Sequence, residues 1–368
     1  MAAFLFSLIA LCAQGSDIVI GQQVTIKSEI LKEQRRFAVF TPKDYLHSDE
    51  KYQVLYLLDG EWNFNFVSSL VDKLASSGDV PKMIVIGIIN NNRSKDLTPA
   101  GSNDNKSMYG GAELFLRHLT EELQPWVDRN YRTLPFSVLA GHSFGGLFTV
   151  YGMMQHPGAF QAYIAISPSL GRNNEQQVIR AKEFFSSKNR FPQSLYLGVG
   201  NEGGFTYFSS KRLADVLEGG ASSKLRFKFD HLSRENHVSI TTQGFIEGLK
   251  FTYAGFNPER VNGLDEIFLI ETHYQSLSNS FGYRLKVPEK YYYKFAREQI
   301  AEKELEYALF ILDKYQKEYP NSSNLLSCYA DLYLLKGEFE NARNYYLRMK
   351  KRGVESEYLE SVLKQLKE

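Results

Sequence analysis

The sequence predicts an α/β protein built on a mostly parallel, eight-stranded sheet, followed by a smaller all-α region. Three observations carry this. From Ile18 to about Phe256, short β-branched apolar runs alternate with helical patterns, as in strands joined by crossover helices. From the third run onward the segments are apolar throughout rather than alternating, which suits strands buried on both faces. Beyond Pro258 no strand pattern survives and the apolar spacing becomes helical.

Taken in order, the chain opens with Ala2 to Ala13 (AAFLFSLIALCA), about as long as the apolar core of an export signal and too short to cross a bilayer. Ala13-Gln14-Gly15 supplies a small-x-small cleavage pattern, although the leader holds no Lys or Arg. The expectation is a signal peptide over residues 1–15 and an exported protein, periplasmic or extracellular. Strands are predicted at Ile18–Ile26, Arg36–Thr41, Gln53–Leu58, Met83–Ile89, Phe136–Ala140, Ala162–Ile166, Ser194–Val199 and Leu225–Asp230, the first two as an antiparallel start. Helices are predicted at Ala112–Asn130, Phe144–Gln155, Tyr207–Glu218 and Ser239–Tyr253. The polar run Asn90–Tyr109 reads as a long surface loop over the site, and Gly171–Lys188 as a second loop.

In the C-terminal part a repeat is legible. Tyr292, Phe295, Ala296, Ala308, Leu312 and Pro320 recur 34 residues later as Leu326, Tyr329, Ala330, Ala342, Tyr346 and Val354. Small residues at helix crossings with bulky ones beside them, at this period, form the tetratricopeptide pattern. The expected organisation is an α/β domain over 16–256, a helical linker over 257–290 and tetratricopeptide-like repeats over 291–368. Two repeats with an amphipathic cap over Glu355–Lys367 offer a route to a protein partner.

Charge and composition narrow the function classes. Lys and Arg total 43 against 42 Asp and Glu, so no global field draws nucleic acid or an anionic membrane. The two cysteines, Cys12 in the leader and Cys328, exclude a disulfide framework and a cysteine zinc site. The sequence holds no phosphate-binding glycine loop, dinucleotide fingerprint or metal-ligand spacing, and no cofactor or metal is expected. No stretch after the leader is apolar enough to span a membrane.

Gly141-His142-Ser143-Phe144-Gly145 matches a nucleophile elbow, the strand-to-helix turn of the α/β-hydrolase fold. A strand ends at the motif and an apolar helix begins after it, which makes Ser143 the candidate nucleophile. A serine needs a base and an orienting acid, in this fold in the order serine, acid, histidine. Of seven histidines, His47, His118 and His142 precede or adjoin Ser143, and His156 follows by barely one helix. His237 lies in a polar loop between the last strand and a helix, where the base belongs; His231 sits at the strand end and His273 in the helical region. Glu202 is the only carboxylate in the turn after the preceding strand, whereas Asp215 is mid-helix and Asp230 adjoins His231. Donors for the tetrahedral oxyanion are expected from the Phe144 N–H and from the turn after the third strand, at Glu61 or Trp62. Trp62, Phe64 and Phe66 follow that turn, and at least one should be a core residue.

With these residues assembled, residues 30 to 256 resemble the Putative esterase branch of the α/β-hydrolases, which includes esterase D, enterochelin-type siderophore esterases, feruloyl and acetylxylan esterases and mycolyltransferases. The motifs that carry the resemblance are Leu57-Leu58-Asp59-Gly60, Arg93-x-x-Asp96-Leu97-Thr98-Pro99, Gly141 to Leu147, Ser167-Pro168-Ser169-Leu170 and Glu235-Asn236-His237. The resemblance implies a Ser143–Glu202–His237 triad, ester or lactone substrates, and a pocket shaped by Arg93 and its loop, with Trp62 and His142 as further substrate-binding candidates. One departure stands out: family members often carry tryptophans after Ser-Pro-Ser-Leu, where this chain has Gly171-Arg172-Asn173-Asn174. The expected activity is a serine carboxylic-ester hydrolase acting on small, siderophore-linked or carbohydrate-linked esters. An acyltransferase using the same residues, or a non-catalytic scaffold binding a peptide through the repeats, are the alternatives.

Overall fold

Eight runs of apolar residues pair into one sheet in the order β1-β2-β4-β3-β5-β6-β7-β8. The computed structural model describes residues 19–47, 49–101, 105–186, 194–220, 225–261, 263, 265–354 and 356–366. The signal peptide expected over residues 1–15 lies outside these residues. Packing divides the chain into two units: one runs to Ser77 and resumes over Pro81–Thr252, and the other comprises Gly78–Val80 and the chain from Tyr253.

In the first unit, β1 (Gln22–Ser28) and β2 (Glu33–Phe40) pair antiparallel, with solvent on much of β1. Then come β3 (Tyr52–Leu57), α1 (Gly60–Ser76), β4 (Met83–Ile88) and the single turn α2 (Arg93–Asp96). α3 (Ala112–Arg117) passes through a π-helical turn, His118–Leu123, into α4 (Gln124–Asn130). β5 (Thr133–His142), α5 (Phe144–Gln155), β6 (Ala162–Ile166), α6 (Arg172–Ser186), β7 (Ser194–Gly200), α7 (Gly204–Gly220), β8 (Arg226–Leu232) and α8 (Ile240–Thr252) complete the unit. β2 runs antiparallel to β4, and every pairing from β4 to β8 is parallel. This is the α/β-hydrolase fold, mostly parallel as its apolar strands require. β3, β4, β6 and β7 are buried along their whole length, which is why they read as continuous apolar runs.

Three elements differ from the sequence reading. Helix α1 was not among the expected helices, yet Phe64, Val67, Val71 and Leu74 fall on one buried face. α6 occupies the expected loop Gly171–Lys188; it enters through left-handed Asn173, Asn174 and Glu175 (φ 50, 53 and 59), then buries Val178, Ala181 and Phe185. The Asn90–Tyr109 run is also not wholly a surface loop, because Asp96, Leu97 and Thr98 are buried and Asp96 pairs with buried Arg35 at 2.8 Å.

The second unit is all-helical among its described residues: α9 (Ile267–Phe281), α10 (Glu289–Ala301), α11 (Leu305–Glu318), α12 (Ser323–Leu335), α13 (Phe339–Lys351) and α14 (Glu357–Gln365), after a 3₁₀ turn at Pro258–Arg260. Ser322 and Ser356 cap α12 and α14 by accepting the N–H groups of Leu325 and Leu359. Tyr292, Phe295, Ala296, Ala308 and Leu312 are buried, and so are Leu326, Tyr329, Ala330, Ala342 and Tyr346. Among the described residues no helix is long and apolar enough to cross a membrane.

Candidate active site

The parallel strands of the first unit end on one edge of the sheet, and the candidate residues gather there. β5 delivers His142 and Ser143, the turn after β7 delivers Glu202, the loop after β8 delivers His237, and the turn after β3 delivers Asp59 to Trp62. Ser143 caps α5 with φ 59 and ψ −115, a conformation that side chains rarely adopt. The turn is that tight because α5 starts immediately: a Cβ on Gly141 would lie 2.5 Å from the Gly145 carbonyl carbon.

His237 joins the other two groups. Its Nε2 lies 3.0 Å from Ser143 Oγ and its Nδ1 lies 2.6 Å from Glu202 Oε2. With the carboxylate accepting from Nδ1–H, Nε2 is left to accept the serine proton. Glu202 is anchored on its far side by the Ser167 hydroxyl. Burial works to raise its carboxyl, but the hydrogen bonds from His237 and Ser167 outweigh it and hold the group below the usual carboxylate range. The loop carrying His237 is pinned by Asn236 Oδ1, which accepts the N–H groups of Val238 and Ser239 at 2.9 Å each, and by Asn201 N–H donating to the Glu235 carbonyl.

The rejected candidates are engaged elsewhere. Asp230 accepts from Lys228 (2.8 Å) and from the Tyr196 hydroxyl (3.2 Å), and Asp215 pairs with Lys211. His231 packs on Tyr207, His118 Nδ1 is 2.6 Å from Glu122, and His273 Nε2–H donates to the Gly255 carbonyl within the helical unit.

The two expected oxyanion donors stand at helix starts. The Phe144 N–H opens α5 and the Glu61 N–H opens α1, and neither has a backbone acceptor among the described residues. Trp62 N–H, the alternative to Glu61, is taken by the Asp59 carbonyl at 3.1 Å. Of the three aromatics after this turn, Phe64 is core, Phe66 is partly exposed and Trp62 is 66% exposed. The Arg93 guanidinium carbon lies 5.4 Å from the centre of the Trp62 ring and 5.4 Å from that of Phe144. His142 turns toward the base: its Nε2–H donates to the His237 carbonyl at 2.6 Å. Burial, with His237 nearby, pulls His142 down to about 4, so the ring is neutral at neutral pH.

Four residues escaped sequence reasoning. Ser167 holds the acid, and Ser169 Oγ lies 3.3 Å from Ser143 Oγ; both sit in a motif that carried the resemblance without suggesting roles. Arg172 stacks over Tyr109 at 4.0 Å and faces Phe144 at 5.9 Å. Phe205, at the start of α7, approaches Gly171 through its Cβ and keeps a largely exposed ring. Its only sequence signal is an aromatic placed just after the glycine-rich turn of the acid.

A nucleophile elbow at the carboxyl edge of this sheet, with a histidine beside its serine, defines a serine hydrolase of the α/β-hydrolase class. Residues 28–245 match the family model described as Putative esterase, and the chain belongs to that family. It is a carboxylic-ester hydrolase. The ferri-bacillibactin esterase BesA of Bacillus subtilis is 30% identical over 232 residues, 54% of this chain and 78% of that protein. A solved IroE-like serine hydrolase from Shewanella oneidensis is 27% identical with a TM-score of 0.68, covering 81% of this chain and 99% of that one. An uncharacterised protein from Capnocytophaga ochracea shares the fold over 94% of this chain and 99% of its own, at 15% identity and a TM-score of 0.66.

Proposed function

We propose that the chain hydrolyses small-molecule esters of the siderophore type through an acyl-enzyme on Ser143, with His237 as general base and Glu202 as its orienting acid. The observation that carries this reading is the bridge of His237 between Ser143 Oγ (3.0 Å) and Glu202 Oε2 (2.6 Å). In acylation the Ser143 O–H proton passes to Nε2 while Oγ bonds to the ester carbon. The resulting oxyanion is met by the N–H groups of Phe144 and Glu61, and the leaving alcohol takes the proton from Nε2. A water then repeats the sequence and frees the acid.

The siderophore assignment leans on the relatives, several of which act on such compounds by name, and on the aromatic and cationic rim of Trp62, Phe144, Arg93, Arg172, Tyr109 and Phe205. Such a rim suits a flat, oxygen-rich aromatic ester. The His237 side chain is 41% exposed, so water can reach the base, and an acceptor-alcohol assay separates hydrolysis from acyl transfer. Trp62, Arg93 and His142 are proposed to border the substrate, and the C-terminal helices to form two tetratricopeptide-like repeats capped by α14. Hydrolysis of short p-nitrophenyl esters, feruloyl esters, acetylated sugars and a catecholate trilactone tests the reading. The trilactone is expected to give the highest kcat/KM, and a preference for acetylated sugars would overturn the substrate class.

A further inference from the structure

Asp59 sits in the left-handed region (φ 55, ψ 45) at the N-cap of α1, with its side chain 1% exposed. A carboxylate so deep has to be paired, and Arg93 pairs it twice: Nε to Oδ1 at 2.7 Å and Nη2 to Oδ2 at 2.8 Å. Arg93 Nη2 also reaches the carbonyl of His142, the residue before the nucleophile, at 3.3 Å. Asn90 Nδ2 ties the same turn together, donating to Asp59 Oδ1 at 2.7 Å and to Glu61 Oε1 at 2.8 Å. On its other side Asp59 lies against the first turn of α5, because a Cβ on Gly145 would stand 3.2 Å from Oδ2. The carboxylate is therefore wedged between the two helix starts that carry the proposed oxyanion donors, the Glu61 and Phe144 N–H groups.

We propose that Arg93 is the counter-ion of the oxyanion hole: it neutralises the buried Asp59 carboxylate and, through Asp59 and the His142 carbonyl, sets the spacing of the two donor turns. This rests on the reading of Ser143 as nucleophile with Phe144 and Glu61 as donors. Its logic is electrostatic. A bare anion wedged between these donors would oppose the negative charge that builds on the ester oxygen, and would compete for the same helix-start dipoles. Arg93 is poorly placed to act instead as the clasp for an anionic substrate. Its Nε–Nη2 edge is committed to Asp59, and its guanidinium carbon lies 5.4 Å from the centres of both the Trp62 and Phe144 rings. Asp59 and Arg93 are thus positioning residues, acting on the reaction through the donor turns.

The test is a double-mutant cycle in the full-length protein with a neutral substrate, p-nitrophenyl butyrate, and with melting by circular dichroism for every variant. R93Q unmasks the carboxylate and is expected to lower kcat on the order of a hundredfold, as loss of one oxyanion donor does, with KM within a few-fold. D59N/R93Q, which removes both charges, should recover at least tenfold of that loss despite having fewer hydrogen bonds. D59N alone, which leaves a cation beside the hole, should lose less than R93Q; R93K, which keeps the charge without the fork, should stay within about tenfold of the unsubstituted chain. A double variant no better than R93Q, or a loss confined to KM, overturns the proposal. Should R93Q not fold, a D59N chain that folds yet falls more than a hundredfold overturns it equally. S143A separates the two layers: an active S143A would sink the nucleophile assignment, whereas an inert S143A with no rescue in the cycle defeats the counter-ion role alone.

Discussion

Ser143 keeps a backbone conformation that costs about 1–3 kcal/mol, in a turn so tight that a Cβ on Gly141 would lie 2.5 Å from the Gly145 carbonyl carbon. What the strain gains is a half-buried hydroxyl held 3.0 Å from His237. The imidazole is held twice, by Glu202 at the ring and by His142 at its carbonyl, and each hold makes a prediction. Glu202→Gln should leave the fold intact and lower kcat by at least about a thousandfold, since the imidazolium loses its charge partner. Asp230→Asn, engaged with Lys228 and Tyr196, should stay within a few-fold. Steady-state kinetics of the two variants decide which acid is right. His142 titrates near 4 in the folded chain against an ordinary 6.5, because burial disfavours its charged form. The unfolded chain therefore takes up that proton first as pH falls through this window, and stability is lost there, by roughly 2–3 kcal/mol between pH 7.5 and 4.5. His142→Gln can still donate to the His237 carbonyl but cannot titrate. Urea unfolding at the two pH values should show a smaller loss in the variant by about that amount, and an equal loss would contradict the assignment.

At the scale of elements, the site is assembled from strand ends and helix starts that sequence periodicity reveals unevenly. β6 and α5 were legible to the residue, because an all-apolar five-residue run and a glycine-flanked turn permit few alternatives. The residues proposed as nucleophile, base and acid were nominated from their order and their turns, and the structure brings the three side chains within hydrogen-bond distance. Helix α1 was hidden because its exposed Trp62 and Phe66 blur the apolar stripe made by Phe64, Val67 and Val71. α6 was hidden by its polar start, Arg172 to Gln177, which reads as a loop. Ion pairs across elements, such as Arg93–Asp59 and Arg35–Asp96, leave no local pattern at all, since their partners are 34 and 61 residues apart. The approach of Phe205, at the start of α7, to Gly171 ahead of α6 likewise joins two elements, and its largely exposed ring is proposed to border the substrate. Phe205→Ala should raise KM for feruloyl or catecholate esters about fivefold, the worth of one aromatic contact, while changing turnover of an acetyl ester little. Equal effects on both substrates would place Phe205 outside the pocket.

For the whole molecule, every residue assigned a chemical role lies between Asp59 and His237, inside the sheet-bearing unit, whereas the buried tyrosines of α10 to α13 pack within the helical unit. The helical unit should therefore support stability or placement rather than turnover. A chain ending at Thr252 is expected to keep kcat on a small activated ester within a few-fold; a folded fragment without turnover, verified by circular dichroism, would show that the helical unit completes the site. The central claim is narrower and is tested most directly by intact-mass spectrometry after treatment with a fluorophosphonate. The full chain should gain one adduct, mapped by peptide digestion to Ser143, and Ser143→Ala should gain none. An adduct on another residue, or labelling that persists in Ser143→Ala, would contradict the account.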